Sequence, residues 1–196
     1  MPASVLSSGR CALSKRLLVI LVAIIVIAAA GILLGVFYFT DVPDWMPVDP
    51  ETGLHITGEP VEVDIDTYRL EVTGKVDREL SLGYEEILLL GPQVTATPDL
   101  VCPGYFVDTA TWSGVPFSTI LGMVELDEDA AWVRMKSADG YSIKVELEVA
   151  LAPSSFLAYE LEGEPLPVSQ GFPLRAVFPE EEGNRWVKWV VELVIE

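Results

Sequence analysis

No charged side chain occurs between Leu17 and Thr40, and the run LLVILVAIIVIAAAGILLGVFYF is almost wholly aliphatic or aromatic. This stretch limits what the chain can fold into more than any other. A helix of ~20 apolar residues crosses the hydrocarbon core of a bilayer. The sequence therefore predicts one transmembrane helix over residues 17–40. Phe37, Tyr38, Phe39 and Trp45 suit the aromatic belt of a membrane interface. A cleaved signal peptide cut near Ala28-Ala29-Ala30 is the competing expectation. Signal cores run about 7–15 residues, however, and this run continues through Phe39.

Flanking charge orients the span. Arg10, Lys15 and Arg16 precede it, and Asp41, Asp44, Asp49 and Glu51 follow it. The positive-inside rule places residues 1–16 in the cytoplasm as a short tail and the C-terminal domain outside, in a single-pass cell-membrane protein. All 30 acidic side chains lie after the span, with nine of the 12 basic ones. So acidic a domain is a poor partner for nucleic acid or for an anionic membrane surface.

Residues 41–60 hold four prolines and two glycines without periodicity, which predicts an extended linker. Residues 61–196 are enough for one domain with its own core. Alternation predicts strands at Val61–Ile65 and Tyr68–Val72. Leu80–Leu90 reads as a helix capped by Ser81 and ended by Gly91-Pro92, and Pro116 opens a short helix through Leu121 and Val124. Asp139-Gly140 predicts a hairpin between Trp132–Lys136 and Tyr141–Val145. Leu147–Leu151 reads as one helical turn, Phe156–Leu161 with Glu162-Gly163 as a second hairpin, and Leu174–Phe178 as a strand. From Val187 to Ile195 the pattern alternates, with Lys188, Glu192 and Glu196 on the polar face. The fold class is α+β, mostly β with short inserted helices.

Familiar catalytic signatures are absent. His55 is the one histidine and falls in the linker, and there is no C-x-x-C, no C-x-x-C-H and no nucleotide-binding glycine fingerprint. Cys102 remains. The span separates it from Cys11, so a disulfide is excluded, and metal binding, redox chemistry as a reactive thiol and simple packing all stay open. By themselves, Lys188 reads as a solvent-facing strand residue and Arg175 as half of an ion pair with Glu180 or Glu181.

Cys102, Trp112-Ser113-Gly114-Val115-Pro116-Phe117, Asp139-Gly140-Tyr141 and Gly171-Phe172-Pro173-Leu174-Arg175 together resemble the sulfite oxidase family of molybdopterin oxidoreductases, which includes periplasmic methionine-sulfoxide reductase catalytic subunits. Trp112-Ser113-Gly114-Val115-Pro116-Phe117 follows the cysteine at the family's spacing. Asp139-Gly140-Tyr141, Leu157-Ala158-Tyr159, Gly163-Glu164-Pro165-Leu166-Pro167, Gly171-Phe172-Pro173-Leu174-Arg175 and Lys188-Trp189 follow in the same order. The resemblance implies a molybdopterin-binding domain of the sulfite oxidase type holding one molybdenum-molybdopterin cofactor. Cys102 would be the molybdenum ligand and catalytic centre. Ser137, Gln170, Arg175, Trp186, Val187 and Lys188 would contact the cofactor, with Arg175 and Lys188 on its phosphate. The reaction would be oxygen-atom transfer with a small-molecule or protein-sulfoxide substrate. A separate electron-transfer partner, such as a membrane cytochrome, would be needed.

The chain also departs from the family pattern. Leu100 stands where an arginine often precedes the ligand cysteine, Gln170 replaces a frequent histidine, and Glu182 replaces a tyrosine. These departures support an alternative expectation, a cofactor-free module that serves as a binding or scaffold domain. The two readings differ at Cys102: an enzyme needs its thiol in a solvent-reachable cleft with Arg175 and Lys188 on the rim, and a scaffold would pack it among apolar side chains with no cavity.

Overall fold

The computed structural model describes residues 46–90 and 94–196. The predicted membrane span and the cytoplasmic tail lie outside the described residues. Among the described residues no helix is long and apolar enough to cross a membrane.

Among the described residues twelve strands run in chain order. They are β1 (Leu70–Gly74), β2 (Leu80–Leu82), β3 (Val94–Ala96), β4 (Asp99–Cys102), β5 (Phe106–Thr109), β6 (Trp112–Pro116), β7 (Trp132–Ser137), β8 (Ser142–Glu146), β9 (Phe156–Leu161), β10 (Glu164–Pro165), β11 (Arg175–Val177) and β12 (Val190–Ile195). Single-turn helices α1 (Tyr84–Leu88), α2 (Phe117–Leu121) and α3 (Leu147–Leu151) interrupt them. One sheet has the order β2-β1-β12-β7-β8, with β1 and β12 parallel and the remaining pairs antiparallel. The second runs β10-β9-β6-β3, and β11 also pairs with β9. A third, two-stranded piece is the β4–β5 hairpin.

Alternation builds the first sheet. Leu70 and Val72 of β1, Leu193 and Ile195 of β12, and Val133 and Met135 of β7 all point into the core and are fully buried or nearly so. Tyr68 adds a cross-tie, donating its hydroxyl to the Val190 carbonyl at 2.5 Å. The second sheet is buried more thoroughly. Every residue of β6 and every residue of β11 is buried, and Phe117 of α2 stacks on Phe178 with ring centroids 5.2 Å apart.

Three expected elements differ. Residues 61–65 form no strand, although Val61, Val63 and Ile65 are each less exposed than their acidic neighbours. Val63 and Ile65 pack against the core, but the segment enters no strand pairing among the described residues. Leu80–Leu82 is a strand, not the start of a helix, because it pairs antiparallel with β1. Ser81 donates sideways to Glu71 at 2.7 Å, and α1 is instead closed by the Glu86 carboxylate accepting from Gly83 N–H at 2.7 Å. The last strand starts at Val190, not Val187. Trp189 sits at φ +50°, a conformation that bulky side chains rarely adopt, and it breaks the alternation there.

The stretch read as an extended linker is not extended throughout. Around Asp49–Leu54 the chain makes a tight turn, with Val48 bridging to His55, and Leu54 is buried. This turn folds against the domain and reaches the site described next.

Candidate active site

Three connections converge on one cleft: the β4–β5 hairpin, the tip of the β7–β8 hairpin, and the segment Glu182–Trp189 leading into β12. The cleft measures about 540 Å³, a size suited to a small cofactor or substrate. Its floor consists of buried residues, Ser137, Trp186, Val187, Lys188 and Trp189. Around its mouth are exposed residues, among them Tyr105, Asp139, Tyr141, Glu182 and Asn184. The Tyr141 hydroxyl donates to the Asn184 carbonyl at 2.8 Å and so joins two sides of the mouth.

Cys102 ends β4 and lines this cleft, half-buried. It stands at the end of a paired strand, not in an open loop, and Pro103-Gly104 makes the turn into β5. The segment opposite comes very close. A Cβ built on Gly183 would lie 2.6 Å from the Cys102 sulfur and 3.0 Å from a Leu100 methyl. Only glycine lets that turn pass so close to the thiol. Burial raises the thiol pKa; Arg175 opposes this, and Asp108 and Glu182 add to it.

Arg175 does not line the cleft but lies behind it, almost completely buried. It makes no ion pair with Glu180 or Glu181; Glu181 pairs with Arg185 at 3.2 Å. Instead one Arg175 amine donates to the Gln170 side-chain oxygen at 2.8 Å and to its carbonyl at 3.2 Å. The guanidinium lies over the Trp112 ring at 4.9 Å, with Trp186 at 6.0 Å. Its Nε is buried with no hydrogen-bond partner. Burial lowers the pKa to about 10, against the pull of Cys102 and Asp108, which leaves the group protonated at neutral pH.

Lys188 is the largest correction at the site. Strand parity placed it in solvent with Glu192 and Glu196, yet it is buried. The break at Trp189 turns it inward. Its ammonium donates to the Thr57 carbonyl at 2.5 Å and the Ser169 carbonyl at 2.9 Å, over the Trp189 ring at 4.7 Å. Burial and then Arg175 push its pKa down to about 7, while Asp139 acts the other way.

Ser137, Trp186 and Val187 also line the cleft. The Ser137 hydroxyl accepts from Asp139 N–H at 3.4 Å, and the Trp186 indole donates to the Phe178 carbonyl at 2.8 Å. Gln170, like Arg175, lies behind the floor and is fully buried. Its amide donates to the His55 carbonyl at 3.2 Å.

The turn around Asp49–Leu54 was missed as part of the site. Asp49 accepts from Ser169 at 2.5 Å, and the His55 ring meets the Asp108 carboxylate at 2.7 Å while stacking on Phe106 at 4.3 Å. Thr57 and Gly58 then line the cleft itself. A proline-rich stretch without periodicity offered no signal for this. Among the described residues no group of three or more His, Cys, Asp or Glu side chains could hold a metal. A metal here would have one protein thiolate and would need further ligands from a cofactor.

Comparison with known proteins bears on the same segments. Residues 57–196 match the family described as "Oxidoreductase molybdopterin binding domain". Over 134 residues the chain is 34% identical to "Putative protein-methionine-sulfoxide reductase subunit YedZ1" of Azospira oryzae, covering 68% of this chain and 51% of that protein. Over 138 residues it is 32% identical to "Uncharacterized oxidoreductase YuiH" of Bacillus subtilis, covering 70% and 69%. Among solved structures, the sulfane dehydrogenase SoxCD from Paracoccus pantotrophus matches in fold with a TM-score of 0.66 at 23% identity, over 78% of this chain and 49% of that one. The match spans about half the length of the Azospira protein and of the SoxCD chain.

Proposed function

This chain belongs to the oxidoreductase molybdopterin-binding domain family, and from that premise we propose that it is a membrane-anchored, extracytoplasmic oxidoreductase with a Cys102-ligated molybdenum. The observation that carries the proposal is the half-buried Cys102 lining a cleft of about 540 Å³. The residues present suit a molybdopterin group. A residue with a soft thiol lines the cavity, a lysine lies on its floor, and behind the floor a buried arginine keeps one N–H without a partner. The scaffold reading expected a thiol packed among apolar side chains without a cavity, and the cleft does not fit it; of the two cations expected on the rim, Lys188 lines the cleft and Arg175 lies behind it.

When bound, such a cofactor supplies oxygen-atom transfer at its metal. The chain's own residues set the conditions around it. Cys102 must lose its proton to serve as a ligand, and burial, Asp108 and Glu182 all resist that loss. Cys102 would release that proton on binding a metal cation, so ligation there would be pH-dependent. Lys188, with its pKa near 7, gains a full charge when an anionic group settles on the floor. Gln170 holds Arg175 in place and ties it to the turn carrying His55. Trp186 and Trp189 exclude water from the floor.

The remaining parts of the proposal concern organisation. Residues 1–16 form a cytoplasmic tail, 17–40 the membrane span, 41–60 the connecting stretch and 61–196 the molybdopterin-binding domain. Electrons are exchanged with an electron-transfer partner such as a membrane cytochrome. The test is metal content. Full-length protein from a cofactor-competent host is expected to hold close to one molybdenum per chain, and Cys102→Ser to lose most of it. Molybdenum-free wild type, or equal molybdenum in the variant, counts against the proposal.

A further inference from the structure

The hairpin that carries Cys102 has little of its own to hold it in place. Among the described residues β4 and β5 pair only with each other, and an isolated two-stranded hairpin is marginal in water. Of residues 99–109 only Leu100, Phe106 and Asp108 are buried. His55 engages two of these three. Its ring stacks on Phe106, with centroids 4.3 Å apart and planes 13° apart. Its backbone N–H donates to one Asp108 carboxylate oxygen at 2.7 Å, and its ring Nδ1 meets the other at 2.7 Å. A carboxylate only accepts, so Nδ1 carries the hydrogen. On the other side the His55 carbonyl accepts from the Gln170 amide at 3.2 Å, and Gln170 accepts from Arg175 at 2.8 Å. His55 thus joins the hairpin to the residues behind the floor of the cleft.

We propose that His55 is a positioning residue for Cys102: by gripping Phe106 and Asp108 it fixes the β4–β5 hairpin against Gln170 and Arg175. This role deepens the proposed function and rests on it for the thiol's being a ligand. Pairing within the hairpin sets its register but not where the hairpin stands on the domain. Phe106 is the residue opposite Cys102 in that register, so whatever holds Phe106 also holds the strand end bearing the thiol. His55 lies outside the family match, which covers residues 57–196, and it precedes every strand of the domain. A segment without periodicity therefore sets geometry at the site. Removing the ring takes from the buried Asp108 carboxylate one of the two hydrogen bonds that His55 gives it, and a buried charge is costly to leave short of partners.

Amide hydrogen exchange of the cofactor-free full chain in detergent reads the hairpin directly. His55→Ala is expected to speed exchange across residues 99–109 by roughly tenfold, the scale of one lost hydrogen bond to a charged group. Amides of β1, β7 and β12 should keep their rates, because a local opening leaves the large sheets folded. Asp108→Asn weakens the same contact from the hairpin side at nearly constant shape. It should give the same confined increase, and it carries the test if His55→Ala does not fold. His55→Asn offers an amide hydrogen in place of Nδ1 and should restore most of the protection. A histidine with a merely structural role would loosen the sheets together with the hairpin, and asparagine would not rescue it.

In molybdenum-loaded protein the electron paramagnetic resonance spectrum of the metal reports the geometry of its sulfur ligand. His55→Ala should load less molybdenum than wild type or give a shifted or broadened spectrum, and His55→Asn should reverse either change. Hairpin exchange that stays at the wild-type rate, an increase shared by the large sheets, or wild-type loading with an unaltered spectrum overturns the role of His55. In each of those cases molybdenum bound by the wild type leaves the proposed function standing. A confined increase in a protein that never holds molybdenum upholds the grip of His55 on the hairpin and counts against the proposed function instead.

Discussion

Lys188 donates to two backbone carbonyls and lies over an indole ring, partners that bear dipoles but no net charge. Desolvation therefore outweighs them, and its pKa falls from the ordinary 10.5 to about 7. Between those two values the unfolded chain holds a proton that the folded chain has given up. Stability then rises with pH across that window, because the unfolded state binds more protons. Urea titrations of cofactor-free protein at pH 7, 8.5 and 10 should show this rise, and the wild type minus Lys188→Met difference isolates it from other titrating groups. An identical pH slope in the two proteins would remove Lys188 as its source. Sequence pattern alone could not reveal this residue's environment. Alternation assumes an unbroken strand, and the positive φ at Trp189 sends Lys188 to the opposite side. Cys102 was easier to single out. It needed only the absence of a partner thiol and the motifs spaced after it.

The paired elements follow the same logic at larger scale. Gly114 of β6 lies where β6 and β9 shift register, and a Cβ there would come within 1.9 Å of the Leu157 carbonyl oxygen and 2.6 Å of Ala158 Cα. Both are backbone atoms of the next strand and cannot rotate away. Gly114→Ala should therefore cost at least about 3 kcal/mol in urea unfolding, the upper range for overpacking, or leave the protein insoluble. A loss below 1 kcal/mol would mean that β6 and β9 can part at little cost. Hairpins were legible wherever a turn dipeptide carried the signal. Asp139-Gly140 marks β7–β8, and Glu162-Gly163, with φ of 53° and 84°, marks β9–β10. Leu80–Leu82 was not legible. Its leucines fit a helix equally well, and only the antiparallel pairing with β1 decides for a strand. Val61–Ile65 shows the converse, a β-like alternation in which partial burial persists without any strand partner. The turn around Asp49–Leu54 belongs with these, since its place at the site depends on contacts with Ser169, Asp108 and Lys188 that lie far along the chain.

For the whole molecule, charge is the main organising quantity. Three basic side chains precede the run from Leu17 to Thr40 and all 30 acidic ones follow it. Basic residues beside a span are retained on the cytoplasmic face, and acidic residues contribute little to that choice. The tail should therefore stay inside, and the domain should be carried out. Such a location suits a protein whose other cysteine, Cys11, would be left on the far side of the membrane, so that no second thiol competes for Cys102. The expected outcome is that the full chain remains in the membrane fraction after an alkaline carbonate wash. Deleting residues 17–40 should release it. In intact cells stripped of any outer barrier, external protease should remove a tag placed after Glu196 but not one placed before Met1. Changing Arg10, Lys15 and Arg16 to glutamate should lower the fraction of chains with the C-terminal tag exposed. A full chain recovered in the soluble fraction would exclude the anchor. A C-terminal tag protected from external protease would reverse the orientation, placing Cys102 on the cytoplasmic side, where any electron partner would also have to lie.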